Sequence, residues 1–179
     1  MEDLPTRVAW FNHPTVSAQM TLEIPMSLSE TQQWYRGVLL NPRRKDFSFL
    51  VSDKSSKQAR IIAMGGLIDI DAFHRNAELY IVVDPMQHGK GFGRRAIHWM
   101  CNWGFNIRNL ERIYLYVHGD NQPARHLYEQ LGFVEEGRLR KHHLHNGRYA
   151  DRYIYGLLRE EWRNLPWSDS TTIRLVDIP

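Results

Sequence analysis

Sulfur chemistry has almost nothing to work with in this chain. A single cysteine, Cys101, among 179 residues excludes a disulfide framework and a thiolate metal cluster. Long apolar runs are also missing: none approaches the roughly 20 residues that cross a bilayer, so no membrane span is expected. The opening stretch is acidic, is broken at Pro5 and Pro14, and lacks the apolar core of a secretory signal. A cytoplasmic location is therefore expected. Charge of one sign is scarce, since 23 Lys and Arg against 20 Asp and Glu leave only +3. The basic pairs Arg43-Arg44, Arg94-Arg95 and Arg140-Lys141 are scattered among acids rather than gathered on one face, which argues against a nucleic-acid partner. A small anionic ligand fits this balance better than a polyanion. Repeats, low-complexity tracts and linkers are absent, and 42% hydrophobic residues suit a globular chain short enough for one domain.

What is present reads as an α/β fold on a mixed sheet. Two helices are expected in the first forty residues. One opens at Asp3 or Thr6 and ends before Asn12-His13-Pro14; the other starts on a Ser29-to-Gln32 capping box and stops at Asn41-Pro42. Strands follow at Phe47–Val51, Arg60–Ile70 and Ala77–Val83. Alternation in the third sets Glu78, Tyr80 and Val82 on one face and Leu79, Ile81 and Val83 on the other. A glycine-rich bend from His88 to Gly93 opens a helix to about Arg108 whose apolar face includes Ile97, Met100, Cys101 and Phe105. Arg112–His118 is a strand and Asp120–Leu131 a helix with Pro123 in its first turn and Gly132 past its end. Asn146-Gly147 then joins Leu139–His145 to Arg148–Leu157 as a hairpin. The remainder, from Arg159 to Ser170, reads as polar and Pro-containing, before a tail, Thr171 to Asp177, that alternates like a strand.

The bend is the first candidate site. Glycines between a strand and a helix aim several N–H groups at one point, at the positive end of the helix dipole, which suits a pyrophosphate. Lys90, Arg94 and Arg95 add charge. A P-loop would need Ser or Thr after Gly89-Lys90, where Gly91 stands. Gly91-Phe92-Gly93-Arg94-Arg95-Ala96 matches a dinucleotide pattern literally, but Glu111 precedes the next strand instead of ending it, and seven residues part Val83 from Gly91. A third known cradle is one for coenzyme A.

Here the motifs carry a resemblance. His88-Gly89-Lys90-Gly91-Phe92-Gly93 after a central strand, Asn121-Gln122-Pro123-Ala124, and Leu127-Tyr128-Glu129-Gln130-Leu131-Gly132-Phe133 together resemble the GNAT superfamily of acetyl-CoA-dependent N-acetyltransferases. His88 stands where that family prefers Gln or Arg. Gly65 to Asp71, Asn76-Ala77-Glu78 and Glu136 to Trp162 are similar to a branch holding ribosomal-protein N-terminal, spermidine and nucleotide-amino-sugar acetyltransferases, with a lean toward the amino-sugar group. The resemblance implies a GNAT-like, mostly antiparallel sheet over residues 1–162. It also implies a first strand, which the 163–179 tail would supply, in cis or across a homodimer.

The implied chemistry is acetyl transfer from acetyl-CoA to a primary amine of a small molecule or a peptide N-terminus, with no metal. Coenzyme A would lie along Ile81, Val82, Val83, His88, Gly89, Lys90, Gly91, Phe92, Gly93, Arg94, Asn121, Ala124 and Tyr128. Tyr128 would protonate the departing thiolate, Glu78 would take the amine proton, and amides near Val82 and Val83 would hold the oxyanion. His118 is a weaker base candidate, expected to be a solvated strand-end histidine. The Asn146-Gly147 register places His143 and His145 on one face and His142 on the other, opposite Asp151, so the three do not converge on a metal, while His142–Asp151 is a candidate substrate-side pair. Trp10, Phe11, Trp34 and Tyr35 either line the acceptor groove or fill core. A non-catalytic acyl-CoA-binding module on the same fold is the competing class.

Overall fold

A computed structural model describes residues 3–20, 25–38, 40–52, 59–145 and 147–166. Its elements are α1 (Leu4–Phe11), α2 (Pro14–Ser17), α3 (Leu28–Val38), β1 (Lys45–Ser52), β2 (Ala59–Asp71), β3 (Asn76–Val83), α4 (Phe92–Asn102), β4 (Arg112–His118), α5 (Gln122–Gln130), β5 (Val134–His145), β6 (Arg148–Leu158) and α6 (Arg159–Arg163). The expected strands and main helices are present, and the six strands form one sheet in the order β1-β2-β3-β4-β6-β5. Only β3 and β4 run parallel; the other neighbours are antiparallel. The expected tail strand falls on residues outside those described.

Strand alternation gives the sheet two different faces. Leu67, Leu79, Ile113, Leu115 and Leu157 point to one side and close on Ile97, Met100 and Phe105 of the α4 segment and on Trp162 of α6. Burial of that many large side chains is the main driving force for the fold, at roughly 1.5–3 kcal/mol each. Beyond α4 the helix loosens into a π-helical turn, Trp103–Ile107, at the point of closest approach to the sheet. A Cβ on Gly104 would lie 2.7 Å from Ile113 Cδ1 and 3.0 Å from Leu67 Cδ1, so only glycine lets the helix sit there. The opposite side is thinner: Trp10, Phe11 and Val16 pack on Met64 and Val82.

α1 and α3 are held to each other and to this second face by polar stitches. Arg7 stacks between Phe11 (4.0 Å) and Trp34 (4.1 Å). Asn12 donates to Met26 O at 2.8 Å and accepts from Met26 N at 2.7 Å, fixing the entry to α3. That helix is capped two residues earlier than expected. Ser27 N–H donates to Glu30 (2.9 Å) and Glu30 N–H donates to Ser27 Oγ (3.2 Å), so the box is Ser27–Glu30 rather than Ser29–Gln32. At the far end, α6 forms the start of the polar, Pro-containing stretch. Leu158 N–H donates to Glu161 at 2.8 Å, and Arg159 reaches Leu110 O at 2.7 Å.

Candidate active site

β3 and β4 pair only at Asn76↔Arg112, Ala77↔Ile113 and Glu78↔Tyr114. Both strands continue, to Val83 and His118, but no longer pair with each other. The sheet therefore splits beyond Glu78, and backbone groups facing the gap are left for something other than a neighbouring strand. The gap is the geometric origin of the site.

At the end of β3 the chain turns through a tightly specified loop. Asp84 accepts from Met86 N at 2.9 Å, and a His88 ring nitrogen bonds Val83 O at 3.2 Å. Lys90 Nζ donates to Gln87 Oε1 at 3.1 Å. Gly89 and Gly91 have φ of +75° and +77°, with nothing within 4 Å of where a Cβ would stand. Gly91 is also the N-cap of α4 and supplies no side-chain cap. Among the described residues the N–H groups of Phe92, Gly93 and Arg94 meet no backbone acceptor, as the first turn of a helix requires. Gly93 has a different reason to be glycine: its Cβ would lie 3.4 Å from Val83 Cγ2, which brings α4 close to β3. The loop is an open nest of donors at a helix N-terminus, and a diphosphate is the chemistry it fits.

α5 closes the other side of the gap. Asn121 accepts from Ala124 N at 3.2 Å, so its side chain caps the helix. Tyr128 lies about two turns further along, buried, its ring against Phe133 and Tyr155. Burial pushes its phenol up to about 12. Tyr128 and Glu78 are thus not neighbours on one surface: they flank the split sheet from opposite faces. Glu78 is half-buried, and that burial raises its carboxyl, against the opposing pull of the Arg152 charge.

Several expected site residues change character. Val82 turns its side chain into the α1 core, so only its backbone faces the gap. Trp10 and Phe11 are core, while Trp34 lies between Arg7 and Arg44, whose guanidinium is 4.9 Å from the ring. His118 is buried rather than solvated, with its ring centroid 4.0 Å from that of His143. The His142–Asp151 pair does not form. β5 bulges between Leu139 and His143, so Asp151 accepts from Lys141 N at 2.7 Å and from Arg138 Nε at 2.6 Å, and His142 stays exposed. Cys101 is buried among apolar side chains, and its thiol is pushed well above its ordinary range, which removes it as a nucleophile.

Sequence reasoning also missed residues. Tyr114 and Tyr116 share the face of Glu78, and Arg152, opposite His118, lays its guanidinium 4.4 Å over the Tyr116 ring. The R-I-Y-L-Y-V-H alternation already predicts the tyrosine face. Arg152 follows only when the hairpin register is carried past the bulge.

Comparison with known proteins agrees with this geometry. The family model described as the acetyltransferase (GNAT) domain matches residues 1–134. A spermidine N(1)-acetyltransferase of Vibrio cholerae is 41% identical over 116 residues, 65% of either chain. Its Escherichia coli counterpart is 40% identical over 85 residues, 48% of this chain and 46% of that one. The chain thus aligns with just under two thirds of the first and about half of the second of these curated relatives. A crystal structure of the Vibrio cholerae enzyme in complex with CoA and spermine superposes with a TM-score of 0.82 at 34% identity, covering 91% of this chain and 94% of that one. The split sheet, the donor nest before α4 and the matched sequence lead to one conclusion: the chain belongs to the GNAT acetyltransferase family.

Proposed function

We propose that this chain transfers the acetyl group of acetyl-CoA to a primary amine of a small acceptor by direct attack within a ternary complex. The observation that carries the reading is the split between β3 and β4, with the donor nest at its mouth and Glu78 and Tyr128 on opposite sides. The solved relative crystallised with CoA and spermine supports both halves of the substrate pair. The diphosphate sits on the N–H groups of residues 92–94, and the pantetheine arm threads the gap, where unpaired β3 amides near Val82 and Val83 meet the thioester oxygen.

An alkyl amine is almost wholly protonated at neutral pH, because its pKa lies near 10. Glu78, raised by burial, accepts that proton directly or through one water. The amine nitrogen then bonds to the carbonyl carbon, charge develops on the oxygen against the β3 amides, and collapse breaks the carbon–sulfur bond while the second nitrogen proton passes to solvent or to the departing thiolate. Tyr128 stays protonated at every working pH. Since a thiol titrates near 8.5, full proton transfer from a phenol at about 12 runs uphill. Tyr128 therefore acts chiefly as a hydrogen-bond donor to the departing sulfur, and the thiolate leaves without needing the phenol to ionise.

The test is steady-state kinetics of thiol release from acetyl-CoA over an amine panel, beside calorimetry of coenzyme A. Tyr128→Phe is expected to lower kcat about 100-fold, and Glu78→Gln by 10²-fold or more, both with coenzyme A affinity retained. Protein that binds coenzyme A and turns over no amine would instead be an acyl-CoA-binding module.

A further inference from the structure

Among the described residues, few carboxylates near Glu78 are left over for an acceptor that is all cation. Among the described residues of α1–α3 the carboxylates are Asp3 and Glu30; Asp3 accepts from Ser48 Oγ at 3.1 Å and Glu30 caps Ser27. On the sheet, Asp46 is held by both nitrogens of Arg44 at 2.7 and 2.9 Å and by the Tyr80 hydroxyl. In the β5–β6 hairpin Glu136 is forked by Arg112, and Asp151 is consumed by Arg138 and Lys141 N–H. Asp69, exposed on the β2 side, is the carboxylate left over near Glu78. The hairpin's remaining charge is positive: Arg140, Lys141, Arg148 and Arg152 make no ion pair among the described residues.

Arg152 is the most informative of these. Its Nε is buried and donates to nothing. Its guanidinium lies over the Tyr116 ring, a contact that restricts its orientation. Its cross-strand partner is Leu139, at the start of the bulge in which Lys141 takes a left-handed φ of +53° that a lysine adopts only when the surrounding bonds impose it. Tyr116 is two residues beyond the Glu78 partner Tyr114 on the same face, and the Arg152 charge is near enough to pull the Glu78 carboxyl down.

We infer that the acceptor is an amine that also carries an oxyanion, a phosphate or a carboxylate, which Arg152, on the face of Glu78 and Tyr116, holds while Glu78 takes the amine proton. This inference rests on the acetyl-transfer reading and narrows its acceptor. It separates the chain from relatives that carry the names of polyamine enzymes: a spermidine-like acceptor would bring a second ammonium toward the Arg152 guanidinium.

Matched acceptors test it: ω-aminoalkyl phosphates of two to six carbons, the corresponding amino carboxylates, the uncharged amino alcohols, and spermidine. Two readouts are taken with the whole chain, kcat/KM with acetyl-CoA and calorimetric binding to the coenzyme A complex. The expected result is at least a tenfold advantage of an anionic acceptor over its amino alcohol, larger for four or more carbons than for two. Phosphate against carboxylate then identifies the source of the oxyanion. Arg152→Gln is expected to raise KM for the preferred anionic acceptor about tenfold with coenzyme A affinity as the folding control, and the double variant Arg140→Gln, Lys141→Gln, which removes surface charge without touching that guanidinium, to leave it nearly unchanged. Transfer that favours spermidine, or that ignores the oxyanion, overturns the inference and leaves acetyl transfer standing. Selective binding of anionic amines without turnover supports the inference and overturns the catalytic reading.

Discussion

Glu78 shows how two opposing environments set one proton affinity. Burial disfavours its charged form and raises its carboxyl, Asp69 pushes the same way, and Arg152 pulls it down. A base must be unprotonated to work, so at saturating acceptor kcat should fall as pH drops through the Glu78 value, which lies above the ordinary glutamate range. Removing the Arg152 charge leaves burial less opposed. Arg152→Gln should therefore move the acidic limb of the kcat profile to higher pH, Asp69→Asn should move it lower, and Glu78→Gln should erase it. A purely structural role for Arg152 would lower activity without moving the limb. No alkaline limb from Tyr128 is expected in an accessible range, because its phenol stays protonated to about 12.

At the scale of elements, the β5–β6 hairpin separates what pattern reveals from what it hides. The Asn146-Gly147 signal fixed the near end correctly, with His145↔Arg148 and His143↔Ala150 as expected. The bulge beyond it left no local trace, because Lys141 is neither glycine nor asparagine and its conformation depends on a carboxylate from the other strand. The same logic covers the other misses. Glu30 wins the cap over Gln32 because Ser27 offers both its N–H and its hydroxyl. The π turn answers to Gly104 meeting Ile113, and α6 to an Arg159 bond across 49 residues of chain. Motifs that act through backbone, such as the 88–93 bend and the Asn121 cap, were legible; side chains recruited by tertiary contact were not. The bulge also carries a pH signature. Asp151 is held below its usual range first by the Lys141 N–H and then by Arg138. A depressed carboxylate contributes stability above its unfolded value, near 3.9, and loses it as pH falls through the folded one. Hydrogen exchange at Lys141 should accelerate relative to its strand neighbours only below about pH 4, and Asp151→Asn should show the faster exchange already at neutral pH.

For the whole molecule, the sheet divides labour between its faces. One face carries the large cluster on α4 and α6 and, through α4 and α5, the proposed cofactor end of the site. The other carries Trp10, Phe11, Val16, Met64 and Val82 and, through α1–α3 and the hairpin, the proposed acceptor end. Fewer buried apolar contacts hold the second layer, so it should open locally at lower free energy than the first. An acceptor that must enter over Glu78 benefits from that asymmetry, while the cofactor needs its nest preformed. Coenzyme A at 100 times its dissociation constant should stabilise the fold by about 2.7 kcal/mol. The gain should be uneven. Exchange protection is expected to rise at the first turn of α4, at β3 beyond Glu78 and along β4, and to stay nearly constant in α1 and α3. Uniform protection across both layers would mean that the acceptor layer closes with the cofactor, and that entry of the amine waits on a step other than local opening of α1–α3.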